Sequence, residues 1–196
     1  VSDTKAYNRV FMGLTRAIRR DGATAAVVRS HLAGLQSVTD AWPSDEQFTE
    51  AWMTGHAYSA LNNGRIVYIL SKLSETYRNS KTEQLKVTGQ LTVEHLMPQA
   101  WVAHWLLSDG SRGINNPWSV PADDPQALAT RARSAIVQTF GNLTLITGSL
   151  NSAISNGAWA TKRAAIEANS LLPINLQLRS AETWDEVAIE RRGRDL

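Results

Sequence analysis

Cysteine is absent from the 196 residues, which excludes disulfides and every cysteine-ligated zinc site. No apolar run approaches the ~20 residues that a membrane span needs, so no spanning helix is expected. The opening residues, Val1 to Lys5, have neither the basic start nor the apolar core of an export leader. Neither Gly-x-x-x-x-Gly-Lys nor Gly-x-Gly-x-x-Gly occurs, so nucleotide hydrolysis has no motif behind it. Charge of one sign is also missing: 20 Lys and Arg stand against 18 Asp and Glu, and a net +2 does not by itself call for a polyanion. There is no internal repeat and no low-complexity tract. The expected location is the cytoplasm. The chain opens on Val rather than Met and is read as a piece of a longer protein.

Apolar residues make up 43% of the chain, enough for a packed core. Residues 4 to 20 repeat apolar side chains with a 3.6-residue period (Tyr7, Val10, Phe11, Leu14, Ile18), and Arg16, Arg19 and Arg20 fall at the negative end of that helix. A second helix is predicted over 23–35. A third starts at Ser44, its expected N-cap, with Phe48, Ala51 and Trp52 as its stripe. A fourth runs over 65–77 with Ile66, Ile69, Leu70 and Leu73 inward. Nothing before residue 80 alternates as a strand does. Residues 1–86 therefore read as a helical scaffold and 87–196 as the functional region.

In that second region a loop is expected at 79–82 and a β-branched strand over 87–93, leading into Glu94-His95. A short helix and an irregular loop follow over 101–125. A helix over 126–139 comes next, with Leu128, Ala132, Ile136 and Val137 inward. A second strand is predicted over 142–147, then helices over 156–169 and 184–192.

Two segments carry the chemistry. Thr92-Val-Glu-His-Leu-Met-Pro98 sets a carboxylate beside an imidazole, with Pro98 closing the turn. Phe140-Gly-Asn-Leu-Thr-Leu-Ile-Thr-Gly-Ser-Leu-Asn151 sets two carboxamides, Asn142 and Asn151, around an apolar run. A carboxylate, an imidazole and amide oxygens brought together suit one hard divalent cation and one general base. Neighbouring side chains of an extended segment point to opposite sides, so Glu94 and His95 need a bend to serve one site. Downstream, Asn156, Lys162 and Arg163 share a predicted helix. All three are candidates for nucleic-acid binding, and Lys162 is the foremost for a phosphate contact, which needs charge but no base identity.

The pairing of these segments resembles the HNH, or His-metal finger, nuclease domain, and more narrowly the C-terminal domain of GmrSD-type, modification-dependent restriction enzymes. The resemblance rests on the His95-x-x-Pro98 turn, the Gly141-Asn-Leu-Thr-Leu145 strand and the following Asn151, Asn156 and Lys162. It is clear over residues 91–170. It implies a mainly α fold with a small ββα-metal unit embedded in a helical scaffold. It implies that His95 activates water, that Glu94 and Asn151 hold the metal (Mg²⁺, with Mn²⁺ as the alternative), and that Asn142 is the second catalytic residue, either holding the imidazole loop or acting directly. The expected activity is metal-dependent DNA cleavage as the effector of a bacterial anti-phage restriction system. A sensor domain or partner subunit would lie outside this chain. One site cuts one strand, so a double-strand break would call for an oligomer or a second visit.

Each residue also has an ordinary reading. Glu-His pairs are common on surfaces, Gly-Asn is a frequent turn pair, Asn151 suits an N-cap, and Lys162 suits a solvated helix face. On those readings the chain would be a non-cleaving module with a nuclease-like fold that binds nucleic acid or a partner. His31, His56 and His104 have no carboxylate nearby in sequence, and the seven Trp residues read as packing anchors.

Overall fold

The computed structural model describes residues 4–35, 41–78, 87, 89–154 and 156–196. The loop expected at 79–82 lies outside them. The described chain is mainly helical with one two-stranded antiparallel sheet. It divides into two compact units, residues 1–49 and 50–196.

The first unit holds α1 (Thr4–Asp21) and α2 (Ala25–Ala33). Gly22 ends α1 at φ +96°, a left-handed conformation that glycine enters without a Cβ penalty. Thr24 then caps α2 by accepting from the Val27 amide. Val10, Leu14 and Ile18 are half-buried as the periodicity requires, but Tyr7 and Phe11 stack on each other and stay largely exposed. Helix α3 (Asp45–Thr54) begins as expected at Ser44. The Ser44 hydroxyl accepts from the Gln47 amide, and the Gln47 side chain accepts from the Ser44 amide, a reciprocal capping box.

The second unit is built around the sheet. Helix α4 (Ala57–Ala60) and helix α5 (Asn63–Thr76) precede it, with Asn62 capping α5 through the Arg65 amide. Strand β1 (Leu91–His95) pairs with β2 (Leu143–Thr147), in register Leu91 with Thr147 through His95 with Leu143. The expected pairing of the two segments is therefore present. The strand starts later than the predicted 87–93, however, and contains Glu94 and His95 rather than leading into them. Between the strands run α6 (Trp101–His104), an irregular stretch, α7 (Pro125–Ile136) and a 3-10 turn, Phe140–Asn142. Asn142 belongs to that turn and not to the strand.

Helix α7 is rotated from the expected face. Leu128 and Ala132 point outward, while Ala127, Thr130 and Arg133 are buried. Arg133 can go inside because Glu186 accepts from its guanidinium and its charge lies over the Trp101 ring. After β2 come α8 (Gly148–Ile154), α9 (Trp159–Asn169), a 3-10 segment Pro173–Ser180 and α10 (Glu186–Asp195). Helix α8 was not anticipated: its seven residues hide inside what reads as a turn.

Strand alternation splits the core. Leu143 and Leu145 join Ile66, Leu70 and Ile174 in one cluster, and Ile146 joins Leu150, Ile154, Ile166 and Trp184 in another. Helix α10 fastens the turn before β2. Arg192, fully buried, donates to the carbonyls of Gly141 (2.9 Å) and Leu143 (2.7 Å). A Cβ on Gly141 would collide with the Ile189 carbonyl of α10, so only glycine permits this approach.

Candidate active site

The end of β1 opens into a cleft of about 310 Å³ lined by Glu94, His95, Pro98, Gln99, Ala100, Asn151 and Asn156. Strand geometry sends Glu94 and His95 to opposite faces, but at the last residues of the strand both still reach the cleft. No sharp bend between them is needed. The turn that follows is held by Asn142. Its side-chain oxygen accepts from the Met97 amide (2.8 Å) and from Trp184 Nε1 (3.0 Å). Its amide nitrogen donates to the carbonyls of Met97 (2.8 Å) and Val137 (2.9 Å). All four hydrogen-bonding positions of the carboxamide are used and the residue is fully buried. Asn142 thus shapes the loop behind the imidazole and has no valence left for a substrate.

The His95 ring stacks on Tyr58, with centroids 5.7 Å apart. Its Nε2 lies 3.3 Å from Gln138 Oε1 and 3.3 Å from the Gln99 amide nitrogen, and Gln99 also donates to Gln138 at 3.2 Å. Burial pulls the imidazole pKa down to about 4, helped by the positive charge of Lys162 and by His56, and opposed by the Gln138 hydrogen bond. At neutral pH the ring is uncharged, and burial makes it a weaker base than a free imidazole. Tyr58, Gln99 and Gln138 went unnoticed in the sequence. Gln138 is 43 positions from His95, and no local pattern links them.

On the other face Glu94 is buried, and its carboxylate is paired with Lys162 of α9. Lys162 also donates to the His95 carbonyl at 2.8 Å. Burial pushes the Glu94 carboxyl up and the Lys162 ammonium down, and the ion pair opposes both shifts. From the sequence Lys162 is expected either to contact a DNA phosphate or to sit on a solvated helix face. Instead the side chain is fully buried, because Trp159, Lys162 and Ile166 share the inward stripe of α9. Arg163 is half-buried and donates to the Ala181 carbonyl at 3.1 Å, whereas Asn156 is exposed on the cleft rim. Asn151 lies in the first turn of α8. Its nitrogen donates to Thr92 Oγ1 at 3.1 Å, and among the described residues its oxygen accepts nothing.

Glu94 and Asn151 bring two hard oxygen donors to one cleft. A cation that keeps most of its own water, as Mg²⁺ does, fits such a set. Among the described residues no three His, Cys, Asp or Glu side chains converge, so a site of the clustered, transition-metal kind is not formed.

A strand pair and a helix thus line a cleft that holds a carboxylate, a neutral imidazole and a carboxamide. The model of the GmrSD restriction endonuclease C-terminal domain family matches residues 42–196, and the chain belongs to that family. No curated protein and no solved structure matches the chain. Among the described residues no helix is long and apolar enough to cross a membrane.

Proposed function

We propose that the chain is a divalent-metal-dependent DNA endonuclease of the HNH type, with β1, β2 and α8 as its ββα-metal unit. The observation that carries this reading is the single cleft shared by Glu94, a neutral His95 and Asn151. His95 takes the proton of the attacking water, a role open to it because the ring is uncharged at neutral pH. Tyr58 and Gln138 fix the plane of the ring, and Asn142 fixes the loop that follows it. Glu94 and Asn151 would hold Mg²⁺ or Mn²⁺, which supplies Lewis-acid stabilisation of the phosphate oxygens and the leaving group. Asn156, exposed on the rim, would meet the DNA backbone. Family membership supports a part in restriction of foreign DNA, with recognition supplied by a domain or subunit outside this chain.

The test is conversion of supercoiled plasmid by the protein with Mg²⁺ or Mn²⁺, repeated with EDTA and with His95→Ala. Conversion that both controls abolish supports the enzyme. Retention of DNA on a gel without conversion identifies a non-cleaving binding module, and preference for RNA in direct competition identifies a ribonuclease.

A further inference from the structure

Lys162 puts a cation inside the cleft wall, against the carboxylate proposed to bind metal. Its ammonium is fully buried and is held at two points, the Glu94 carboxylate and the His95 carbonyl. A buried lysine is stable only where its charge is matched, and here Glu94 matches it. The matching also works in reverse, because among the described residues the one carboxylate lining the cleft, Glu94, is already paired with a cation. A dication arriving at Glu94 meets a local charge near zero, with an ammonium bonded to the same carboxylate. In a cleft of reduced dielectric that repulsion is large enough to weaken binding tenfold or more.

We infer that Lys162 is a built-in counter-ion that competes with the divalent cation for Glu94, so that the site takes its metal together with a substrate phosphate and not ahead of it. The inference rests on the reading of Glu94 as a metal ligand. Without substrate, Lys162 keeps the carboxylate ionised and fixed in the cleft wall. A DNA phosphate entering the cleft adds the negative charge that the pair lacks, and the cation then binds to a site of net negative charge. By linkage the cation strengthens DNA binding by the same factor. Lys162 acts through Glu94 and is a positioning residue.

The experiment is a Mn²⁺ titration followed by electron paramagnetic resonance, in a His95→Ala background so that DNA is not consumed. It is run with and without a short duplex, for Lys162 and for Lys162→Met. With Lys162, binding should be weak without DNA and at least tenfold tighter with it. Lys162→Met should bind Mn²⁺ at least tenfold tighter than the Lys162 protein without DNA, and DNA should then add little. Glu94→Gln should lose binding in both backgrounds. A thermal melt of each variant reports folding. Lys162→Met that melts early but is restored by Mn²⁺ agrees with the inference, since the metal then replaces the missing counter-ion. If Lys162→Met does not fold, Lys162→Gln, which removes the charge and keeps a donor, gives the same readout. Equal or weaker Mn²⁺ binding by these variants overturns the competition while leaving the metal site standing. No Mn²⁺ binding by any variant, with or without DNA, overturns the metal site itself.

Discussion

Replacing Asn142 by alanine strands four polar groups at once. The Met97 amide, the Met97 carbonyl, the Val137 carbonyl and Trp184 Nε1 all bond to this side chain at 2.8–3.0 Å. Met97, Val137 and Trp184 are themselves buried, so solvent does not reach these groups without rearrangement. A stranded buried group costs about 1–3 kcal/mol. Four at the low end give about 4 kcal/mol, a large part of the ~5–15 kcal/mol that holds a domain folded. The low end applies because the hole left by a carboxamide can admit a water that re-pairs some of them. For a chain of this size that is a fall in Tm of about 8–16 °C. Asn142→Asp is the sharper control. It keeps the two acceptor positions but sets a carboxylate oxygen against two carbonyls, so it should be at least as destabilising as alanine. Urea denaturation of the wild type and both variants, followed by tryptophan fluorescence, measures the loss directly. A loss below about 1 kcal/mol for alanine would refute the reasoning, because it would mean that the four groups find other partners.

His95→Ala should keep metal and DNA binding but lose about 100-fold or more in nicking rate. Glu94→Ala should lose metal affinity and recover part of its rate as Mg²⁺ or Mn²⁺ is raised; a nicking series against metal concentration that rescued His95→Ala instead would reverse the two roles. The His95 pKa is about 4 in the folded chain against about 6.5 unfolded, so the unfolded state binds the extra proton between those values. That contribution to stability is complete above pH 6.5 and is lost as pH falls toward 4, on the order of 3 kcal/mol in all. Denaturation at pH 7 and pH 4.5 should show a smaller pH-dependent loss in His95→Gln than in the wild type. Arg192→Met should destabilise by about 2–4 kcal/mol, since it leaves the Gly141 and Leu143 carbonyls without their charged donor. Arg192→Lys should recover little, because one ammonium cannot reproduce the guanidinium fork; full recovery in a thermal melt would contradict this.

The second strand was legible because a short apolar run with Leu143 and Leu145 two apart is a local signal, whereas the first was predicted over 87–93 and lies at 91–95. The helix start at Ser44 was legible for the same reason: a hydroxyl and a carboxamide three residues apart form a cap by themselves. The grouping of Glu94, His95 and Asn151 came from the resemblance to the nuclease family, not from periodicity or spacing alone. What stayed hidden depends on partners far along the chain. Lys162 and Arg133 look solvated in isolation, yet each holds a position on an inward helical stripe. Their partners, Glu94 and Glu186, are 68 and 53 positions away. The stripe Trp159, Lys162, Ile166 was visible in the spacing. A charged residue inside it is a sequence-level sign of a buried ion pair, although the partner cannot be named from spacing alone. Helix α8 was missed because seven residues opening on Gly148-Ser149 carry too little periodicity to separate from a turn.

The grip of Arg192 on the turn before β2 has a consequence for the order in which the protein is made. The loop after His95 is shaped by Asn142, and the turn presenting Asn142 is fastened by a helix that starts only at Glu186. Synthesis runs from the N-terminus, so the turn that presents Asn142 is made before the helix that fastens it. If the cleft cleaves DNA as proposed, a chain without α10 would carry every residue of the cleft and still not cut. A chain truncated before Glu186 should differ from the full chain in plasmid nicking, and equal nicking by the truncated chain would show that the cleft assembles without α10.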